Sequence, residues 1–207
     1  LYKKLLTLRV LELGDKMIDA TQDQALRQIA MKLISNPDMY HTGKPFVNEM
    51  DTALLQIIDS VDLSSTKLII FGHYNETVER LAALLKEYNP AILNGRVTNK
   101  DAQKKKFLND DSCRLLIAHA ASAGAGLNLQ TVCSNVVFYE CPDSPGAIAQ
   151  ASDRVHRITT TTPVSIYFLG AKGTWGMRKL KNVVKKDGNI HNVVGDRKQL
   201  LGDLFDA

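Results

Sequence analysis

The run Lys67-Leu-Ile-Ile-Phe71 is followed by an amphipathic stretch at residues 76–88 and then by a second apolar run, Ala91-Ile-Leu93. A short aliphatic run without hydrophobic–polar alternation is typical of a strand that is buried on both faces. The stretch between the two runs places its apolar residues at helical spacing. Buried strands that alternate with amphipathic helices predict a parallel sheet covered by helices on both faces.

The same alternation continues towards the C-terminus of the chain. A polar helix is predicted near residues 100–108, and another helix at residues 146–156. Further strands are predicted at residues 114–118, 135–139 and 164–169. Right-handed crossovers between such strands give a doubly wound α/β domain, which we place at residues 63–172.

The flanking regions have a different pattern. Apolar residues recur at helical spacing in residues 1–62, for example at Leu26 and Ile29, and predict a helical segment that packs on the α/β domain. Residues 173–207 also have a helical pattern, with a turn at residues 186–189, and predict a helical extension. Because the chain starts at Leu1 rather than Met, we expect a fragment or a processed product.

Composition and charge limit the classes of protein. The 207 residues are 44% hydrophobic and 23% charged, as is typical of a globular protein with a substantial core. The net charge of +4 permits a polyanionic partner without requiring one. The three cysteines show no C-x-x-C spacing, so we expect neither structural zinc nor a disulfide framework. We expect the protein to reside in a reducing compartment.

Membrane and export signals are not found in the sequence. No apolar stretch approaches the roughly twenty residues that span a bilayer, and the N-terminus lacks a charged-then-apolar leader. We therefore expect a soluble, cytoplasmic protein without a membrane partner.

The loop after the strand at residues 114–118 is rich in glycine. Gly124 and Gly126 are separated by one residue, and Ser122 and Asn128 supply neutral hydrogen-bonding side chains. Such glycines let a backbone approach a ligand closely and expose its N–H groups. A third glycine would be needed for a dinucleotide fingerprint. A tight strand-to-helix turn explains the same loop equally well.

The stretch Gln150-Ala-Ser-Asp-Arg154-Val-His-Arg157 places two guanidinium groups one turn apart on a predicted helix, with Gln150 one turn earlier. Such a pair can bind phosphate oxygens and neutralise the charge that develops during γ-phosphoryl transfer, which is the arginine-finger role. A solvated, salt-bridged helix face is the commoner explanation of an Arg-x-x-Arg sequence taken alone.

A third segment follows the first strand, where Phe71-Gly-His73-Tyr-Asn75 leads into a helix. The N–H groups at the start of that helix could receive a nucleic-acid phosphate. An ordinary helix cap explains the segment equally well.

Together, the order and spacing of these segments resemble the C-terminal helicase lobe of superfamily-two proteins of the Swi/Snf-related class, including bacterial and phage relatives. Residues 67–71 resemble motif IV, and residues 114–129 resemble motif V. Residues 150–158 and 163–167 are similar to the motif VI consensus Q-A-x-D-R-x-H-R-I-G-Q-x-x-P-V-x-V-Y. Ile92-Leu-Asn-Gly-Arg-Val-Thr98, with the helix after it, resembles the family's L-D-G-S-T … R-x-x-x-I-x-x-F stretch.

Three departures from the family pattern stand out. Four threonines at residues 159–162 occupy the place of the usual Gly-Gln and two variable residues. Asn94 replaces the usual Asp, and Ala123 occupies a common Gly position. None of these departures removes an arginine of the motif VI segment.

The resemblance implies a RecA-like lobe that binds ATP with Mg²⁺ in a cleft shared with an N-terminal helicase lobe. It implies catalytic roles for Arg154 and Arg157 and nucleotide contacts from Gln150, Gly124, Gly126 and Asn128. The chain contains no G-x-x-x-x-G-K-[ST] sequence and no strand that ends in an Asp-Glu pair. We therefore expect no ATP turnover by the isolated chain and assign it no metal ligands.

The resemblance also implies a nucleic-acid partner, with double-stranded DNA expected, and the host cytoplasm as the location of a phage member. Contacts to phosphates, salt-sensitive and independent of sequence, are expected near His73, Asn75, Gly95, Thr98 and Ser122.

Two alternatives remain open on the sequence. One is a lobe that binds nucleic acid or protein without hydrolysing ATP. The other is a nucleotide-binding domain of another superfamily, glycosyltransferase-like or flavodoxin-like, which would leave the arginine pair unexplained.

Overall fold

The computed structural model describes residues 1–13, 16–37, 47–120, 122, 132–142, 145–152, 155 and 163–186. Its helices are α1 (Tyr2–Leu8), α2 (Asp23–Ser35), α3 (Glu49–Ser60), α4 (Asn75–Leu84), α5 (Lys100–Asn109), α6 (Pro145–Ser152) and α7 (Trp175–Lys186). Its strands are β1 (Val10–Leu13), β2 (Lys16–Asp19), β3 (Lys67–Gly72), β4 (Ala91–Leu93), β5 (Leu115–His119), β6 (Cys133–Phe138) and β7 (Ser165–Phe168).

Five of the strands form one parallel sheet in the order β4-β5-β3-β6-β7. The central strand β3 is buried at all six positions, and its apolar run at residues 68–71 predicts this for a strand covered on both faces. In the register of the sheet, Ile69 lies between Leu116 of β5 and Val136 of β6. The predicted doubly wound α/β fold is confirmed.

Two layers of helices cover this sheet. On one face, Leu68 and Ile70 of β3 pack with side chains of α3 and α4, among them Leu54 and Leu81. On the other face, Ile69 and Phe71 pack with residues of α5, α6 and α7, namely Phe107, Ile148, Leu180 and Val183. The alternation of β3 side chains between the two layers follows from the period of two in a strand.

The N-terminal segment forms a smaller cluster of its own. Leu5 of α1, Leu11 of β1 and Leu26 of α2 are buried together. The segment also contains the antiparallel hairpin of β1 and β2, which the helical spacing of the apolar residues did not predict. Each hairpin strand has only four residues, too few to establish a period of two.

The N-terminal segment is joined to the last described helix. The backbone N–H of Trp175, at the start of α7, donates to the hydroxyl of Tyr2 at 2.6 Å. Burial raises the pKa of Tyr2, which keeps this hydroxyl neutral. The guanidinium of Arg27 in α2 lies 5.1 Å from the centre of the Trp175 ring. These contacts bring α1 and α2 against the N-terminal end of α7.

None of the helices described in the structure is long and apolar enough to cross a membrane. Residues 187–189 of the predicted turn at residues 186–189 lie outside the described residues, as does the rest of the helical extension predicted at residues 173–207. The same holds for residues 153, 154 and 156 of the helix predicted at residues 146–156.

Candidate nucleic-acid interface

The carboxyl ends of β3, β4, β5 and β6 meet at one edge of the sheet, because all of these strands are parallel. Ligands of open α/β sheets bind outside this edge, which we call the carboxyl edge. The residues that leave the strands there include His73 after β3, Gly95 after β4, Ser122 after β5 and Glu140 after β6.

The loop between β3 and α4 is fixed from below by a buried carboxylate. Glu140 accepts hydrogen bonds from the backbone N–H groups of His73 (2.7 Å) and Tyr74 (3.1 Å) and from the hydroxyl of Thr77 (2.9 Å). The amide of Asn36, at the end of α2, donates to the same Thr77 hydroxyl at 2.6 Å. Burial raises the pKa of Glu140, and its donors oppose that shift.

The start of α4 is therefore occupied by carboxylates of the protein itself. Glu140 takes two of the N–H groups that precede the helix. The Glu76 side chain accepts from its own backbone N–H, and this bond, aided by Lys32 and Arg96, lowers the pKa of Glu76 against the effect of burial. Of the two interpretations of this segment, the arrangement favours a cap over an open phosphate site at the helix N-terminus.

The loop after β4 packs against the same helix start. The backbone N–H of Gly95 donates to Oδ1 of Asn75 at 3.2 Å, and Gly95 itself is exposed. A Cβ atom at Gly95 would lie 3.4 Å from Nδ2 of Asn75, in van der Waals contact with the amide. Asn94 holds the turn by accepting from the N–H groups of Arg96 (2.9 Å) and Val97 (3.0 Å).

Aromatic side chains line the part of the edge between β3 and β5. The His73 ring stacks on the ring of His119, with centroids 6.0 Å apart, and meets the ring of Tyr74 edge-on at 4.8 Å. The N–H of Ser122 donates to the carbonyl oxygen of His119 at 2.8 Å. His119 thus links His73 to Ser122, and no local sequence pattern marks this histidine.

A second buried polar group supports the edge from the side of α3. Asp51 is fully buried and pairs with both terminal nitrogens of Arg80, at 2.9 and 2.5 Å. The hydroxyl of Tyr139 donates to Asp51 at 2.8 Å. Asp51 also completes a capping box with Asn48 at the start of α3. The sequence signal for this group is Asn48-x-x-Asp51 before an apolar helix.

Comparison with known proteins assigns the family. Residues 50–159 match the model of the helicase conserved C-terminal domain, which is more than half of the chain. The chain belongs to this helicase family. It is 32% identical over 127 residues to SWI/SNF-related matrix-associated actin-dependent regulator of chromatin subfamily A-like protein 1 of Xenopus laevis. It is 30% identical over 149 residues to the uncharacterized ATP-dependent helicase YqhH of Bacillus subtilis.

The helicase lobe is only a part of these relatives. The matches cover 59% and 71% of this chain, but 13% of the Xenopus protein and 26% of the Bacillus protein. Among solved structures, the Sulfolobus solfataricus SWI2/SNF2 ATPase core in complex with dsDNA superimposes with a TM-score of 0.64 and 23% identity. That match covers 79% of this chain and 35% of the Sulfolobus chain, and it supports the RecA-like α/β fold.

The helicase lobe brings several of the predicted DNA-contact residues together. His73, Asn75 and Gly95 lie around the start of α4, and Ser122 joins them through His119. Thr98 is exposed in the loop between β4 and α5.

Of the residues predicted to bind or act on the nucleotide, the structure describes one. Gln150 is exposed on α6. The catalytic pair Arg154 and Arg157 and the loop residues Gly124, Gly126 and Asn128 lie outside the described residues. In the described ranges, no three His, Cys, Asp or Glu side chains lie close enough together to hold a metal ion.

Proposed function

We propose that this helicase lobe is the second lobe of a DNA-dependent ATPase motor and that its carboxyl edge contacts the DNA backbone. The observation that carries the proposal is the clustering of His73, Asn75 and Gly95 at that edge in a chain of the helicase family. The Sulfolobus relative in complex with dsDNA supports double-stranded DNA as the partner.

The structure of the edge suits a sequence-independent contact. The β3–α4 loop is held by a buried carboxylate, so His73 and Tyr74 are fixed before any ligand binds. Asn75 accepts the Gly95 N–H through Oδ1 and retains its Nδ2 donor, a group that contacts phosphate without reading a base. Because the loop is ordered in advance, DNA binding loses little conformational freedom there.

ATP hydrolysis requires groups from both lobes in this proposal. ATP supplies the γ-phosphoryl group that is transferred to water, with Mg²⁺ held mainly by the N-terminal lobe. Gln150, which is exposed and able to donate and accept hydrogen bonds, precedes the first of the two arginines by four residues in the sequence. Arg154 and Arg157 neutralise the charge on the departing phosphoryl oxygens, and Gly124, Gly126 and Asn128 border the nucleotide.

The test uses the full-length protein and its steady-state ATPase rate with and without double-stranded DNA. We expect DNA to stimulate the rate. Arg154→Ala and Arg157→Ala should each lower kcat on the order of a thousandfold while ATP binding changes little, because the contact forms fully only in the transition state. Arg9→Ala, which removes an exposed ion pair with Asp23 in the N-terminal segment, is the matched control and should leave kcat unchanged.

Two results would count against the proposal. Normal hydrolysis by both arginine variants would remove the arginine-finger assignment. A full-length protein that binds DNA but never hydrolyses ATP would instead favour a lobe that serves as a binding module. The 207-residue chain alone should show no turnover, since the proposal assigns the Mg²⁺ ligands to the other lobe.

A further inference from the structure

Arg96, in the loop between β4 and α5, has its guanidinium held by two carboxylates of α4. Nη1 lies 2.9 Å from Oε2 of Glu79, and Nη2 lies 3.1 Å from Oε1 of Glu76. More than half of the arginine side chain (55%) remains exposed. The guanidinium therefore lies at the surface of the carboxyl edge, within reach of a ligand that approaches this edge.

The main chain beneath Arg96 is fixed independently of these ion pairs. Asn94 accepts from the N–H of Arg96 and donates to Oε1 of Glu79 at 3.2 Å. The N–H of Gly95 is bonded to Asn75. The guanidinium can consequently change partners while the backbone of the loop keeps its place.

The neighbouring carboxylates would repel a phosphate at this point of the carboxyl edge, so phosphate binding there requires a cation. Glu140 and Glu76 occupy the N–H groups at the start of α4, so a phosphate placed there would meet two carboxylates. Lys32 pairs with Glu76 at 3.5 Å and lies over the Tyr74 ring, and only 24% of its side chain is exposed. Of these two cations, Arg96 is the better placed to meet a phosphate from solvent.

The exchange of a carboxylate for a phosphate is chemically favourable. Exposed ion pairs contribute little to stability, so releasing one from Glu79 costs little. A guanidinium makes bidentate bonds to phosphate oxygens, and neutralising a DNA phosphate releases a condensed counterion.

We propose that Arg96 is a phosphate ligand for the DNA backbone and that Glu76 and Glu79 hold its guanidinium in place of a phosphate until DNA binds. This inference rests on the proposed function, in which DNA lies along the carboxyl edge. Glu79 then acts as a competitor, because it must release Arg96 before the phosphate contact forms.

The experiment measures the binding of a fluorescein-labelled DNA duplex of mixed sequence to the full-length protein by anisotropy at several salt concentrations. Arg96→Ala should weaken binding about fivefold at 0.1 M salt and reduce the slope of log K against log salt by about 0.9, the value for one lost phosphate contact. Glu79→Gln should tighten binding by about threefold, since the competitor loses its charge while the amide still bonds to Asn94.

The double variant separates this role from a general change of charge. In the Arg96→Ala background, Glu79→Gln should gain less than in the wild type, because no guanidinium is left to release. Arg9→Ala removes one cation from an exposed ion pair in the N-terminal segment and should leave the affinity unchanged. If Arg96 only stabilised the conformation of the loop through its ion pairs, Arg96→Ala and Glu79→Gln would both weaken DNA binding.

The outcomes distinguish this inference from the function on which it rests. If the wild type binds the duplex and Arg96→Ala binds it with the same affinity and the same salt slope, the role of Arg96 is overturned. The proposal of a DNA-dependent motor is unaffected by that result. A wild-type protein that neither binds the duplex nor responds to it in ATPase rate would remove the proposed function itself. If Arg96→Ala fails to fold, the effect of Glu79→Gln decides, and a loss of affinity there contradicts the inference.

Discussion

Glu140, just beyond β6, accepts a hydrogen bond of 2.7 Å from the backbone N–H of His73, just beyond β3. The two residues belong to neighbouring strands and are 67 positions apart in the sequence. Because Glu140 is almost fully buried, the carboxylate has no water to replace these partners. The geometry of the carboxyl edge therefore depends on one acidic side chain beneath it.

Replacing Glu140 should destabilise the lobe strongly. In Glu140→Ala the N–H groups of His73 and Tyr74 and the hydroxyl of Thr77 lose their acceptor, and a cavity replaces the carboxylate. We expect the free energy of unfolding to fall by about 3 kcal/mol, measured by urea denaturation. Glu140→Gln, which retains an acceptor oxygen, should lose about 1 kcal/mol. Glu87→Ala, at an exposed position, serves as the control, and equal losses in all three variants would refute the argument.

The raised pKa of Glu140 predicts a pH dependence with a definite sign. Burial makes the folded state hold the Glu140 proton more tightly than the unfolded chain does, where the ordinary value is 4.5. The unfolded state therefore binds fewer protons above that pH, and the contribution of this group to stability declines as pH rises through the folded pKa.

The measurement is the difference in unfolding free energy between wild type and Glu140→Gln from pH 4 to pH 8. Subtraction removes the groups with lowered pKa, such as Glu76 and Asp110, whose contributions are lost as pH falls. We expect the wild type to lose stability relative to the variant as pH rises. If the wild type instead gained stability relative to Glu140→Gln as pH rises, the hydrogen bonds to the carboxylate would outweigh the effect of its burial.

The buried pair of Asp51 and Arg80 should be more sensitive to the loss of a charge than to the loss of a hydroxyl. Asp51→Asn removes the negative charge that pairs with the Arg80 guanidinium at a site where the Arg80 side chain is only 10% exposed. Breaking a buried pair on one side costs about 3 kcal/mol or more. Tyr139→Phe removes one hydrogen bond to Asp51 and should cost about 1 kcal/mol. Thermal unfolding of both variants tests whether Asp51→Asn loses more stability than Tyr139→Phe. A larger loss of stability in Tyr139→Phe would contradict the prediction.

The parts of the fold that sequence predicts are those with local causes. Residues 68–71 of β3 are all buried, and an unbroken apolar run is the pattern that two covered faces require. The amphipathic stretch predicted at residues 76–88 is α4, Asn75–Leu84, followed by a short 3₁₀ turn at Lys86–Tyr88. A change of helix type in the last turn leaves the spacing of apolar residues almost unaltered, so the sequence did not indicate it.

The parts that sequence did not predict depend on distant partners. Asn36 reaches Thr77 across 41 positions, and Tyr139 reaches Asp51 across 88. Neither pair has a spacing that a local pattern could register, because the sheet order and the packing of α2 and α3 bring them together. The pairing of His119 with His73 has the same cause, since His73 follows the adjacent strand β3 and is distant in the sequence.

Lys67 is a further case in which a distant contact reverses the local expectation, and it allows a direct test. A lysine at the start of a strand is ordinarily exposed, yet Lys67 is 4% exposed and its ammonium donates to the carbonyl oxygens of Phe107 (2.5 Å) and Asp110 (2.9 Å). These carbonyls end α5, where the helix dipole favours a positive charge.

Lys67→Met keeps the length and apolar character of the stem but removes the donors to both carbonyls. We expect the free energy of unfolding to fall by about 2 kcal/mol, as for buried acceptors left without a partner, in urea denaturation followed by circular dichroism. Lys105→Met, on the exposed side of α5, changes the net charge by the same amount and should shift stability by less than about 0.5 kcal/mol. If the two methionine variants were equally stable, the hydrogen bonds of Lys67 to the carbonyls at the end of α5 would not contribute to stability.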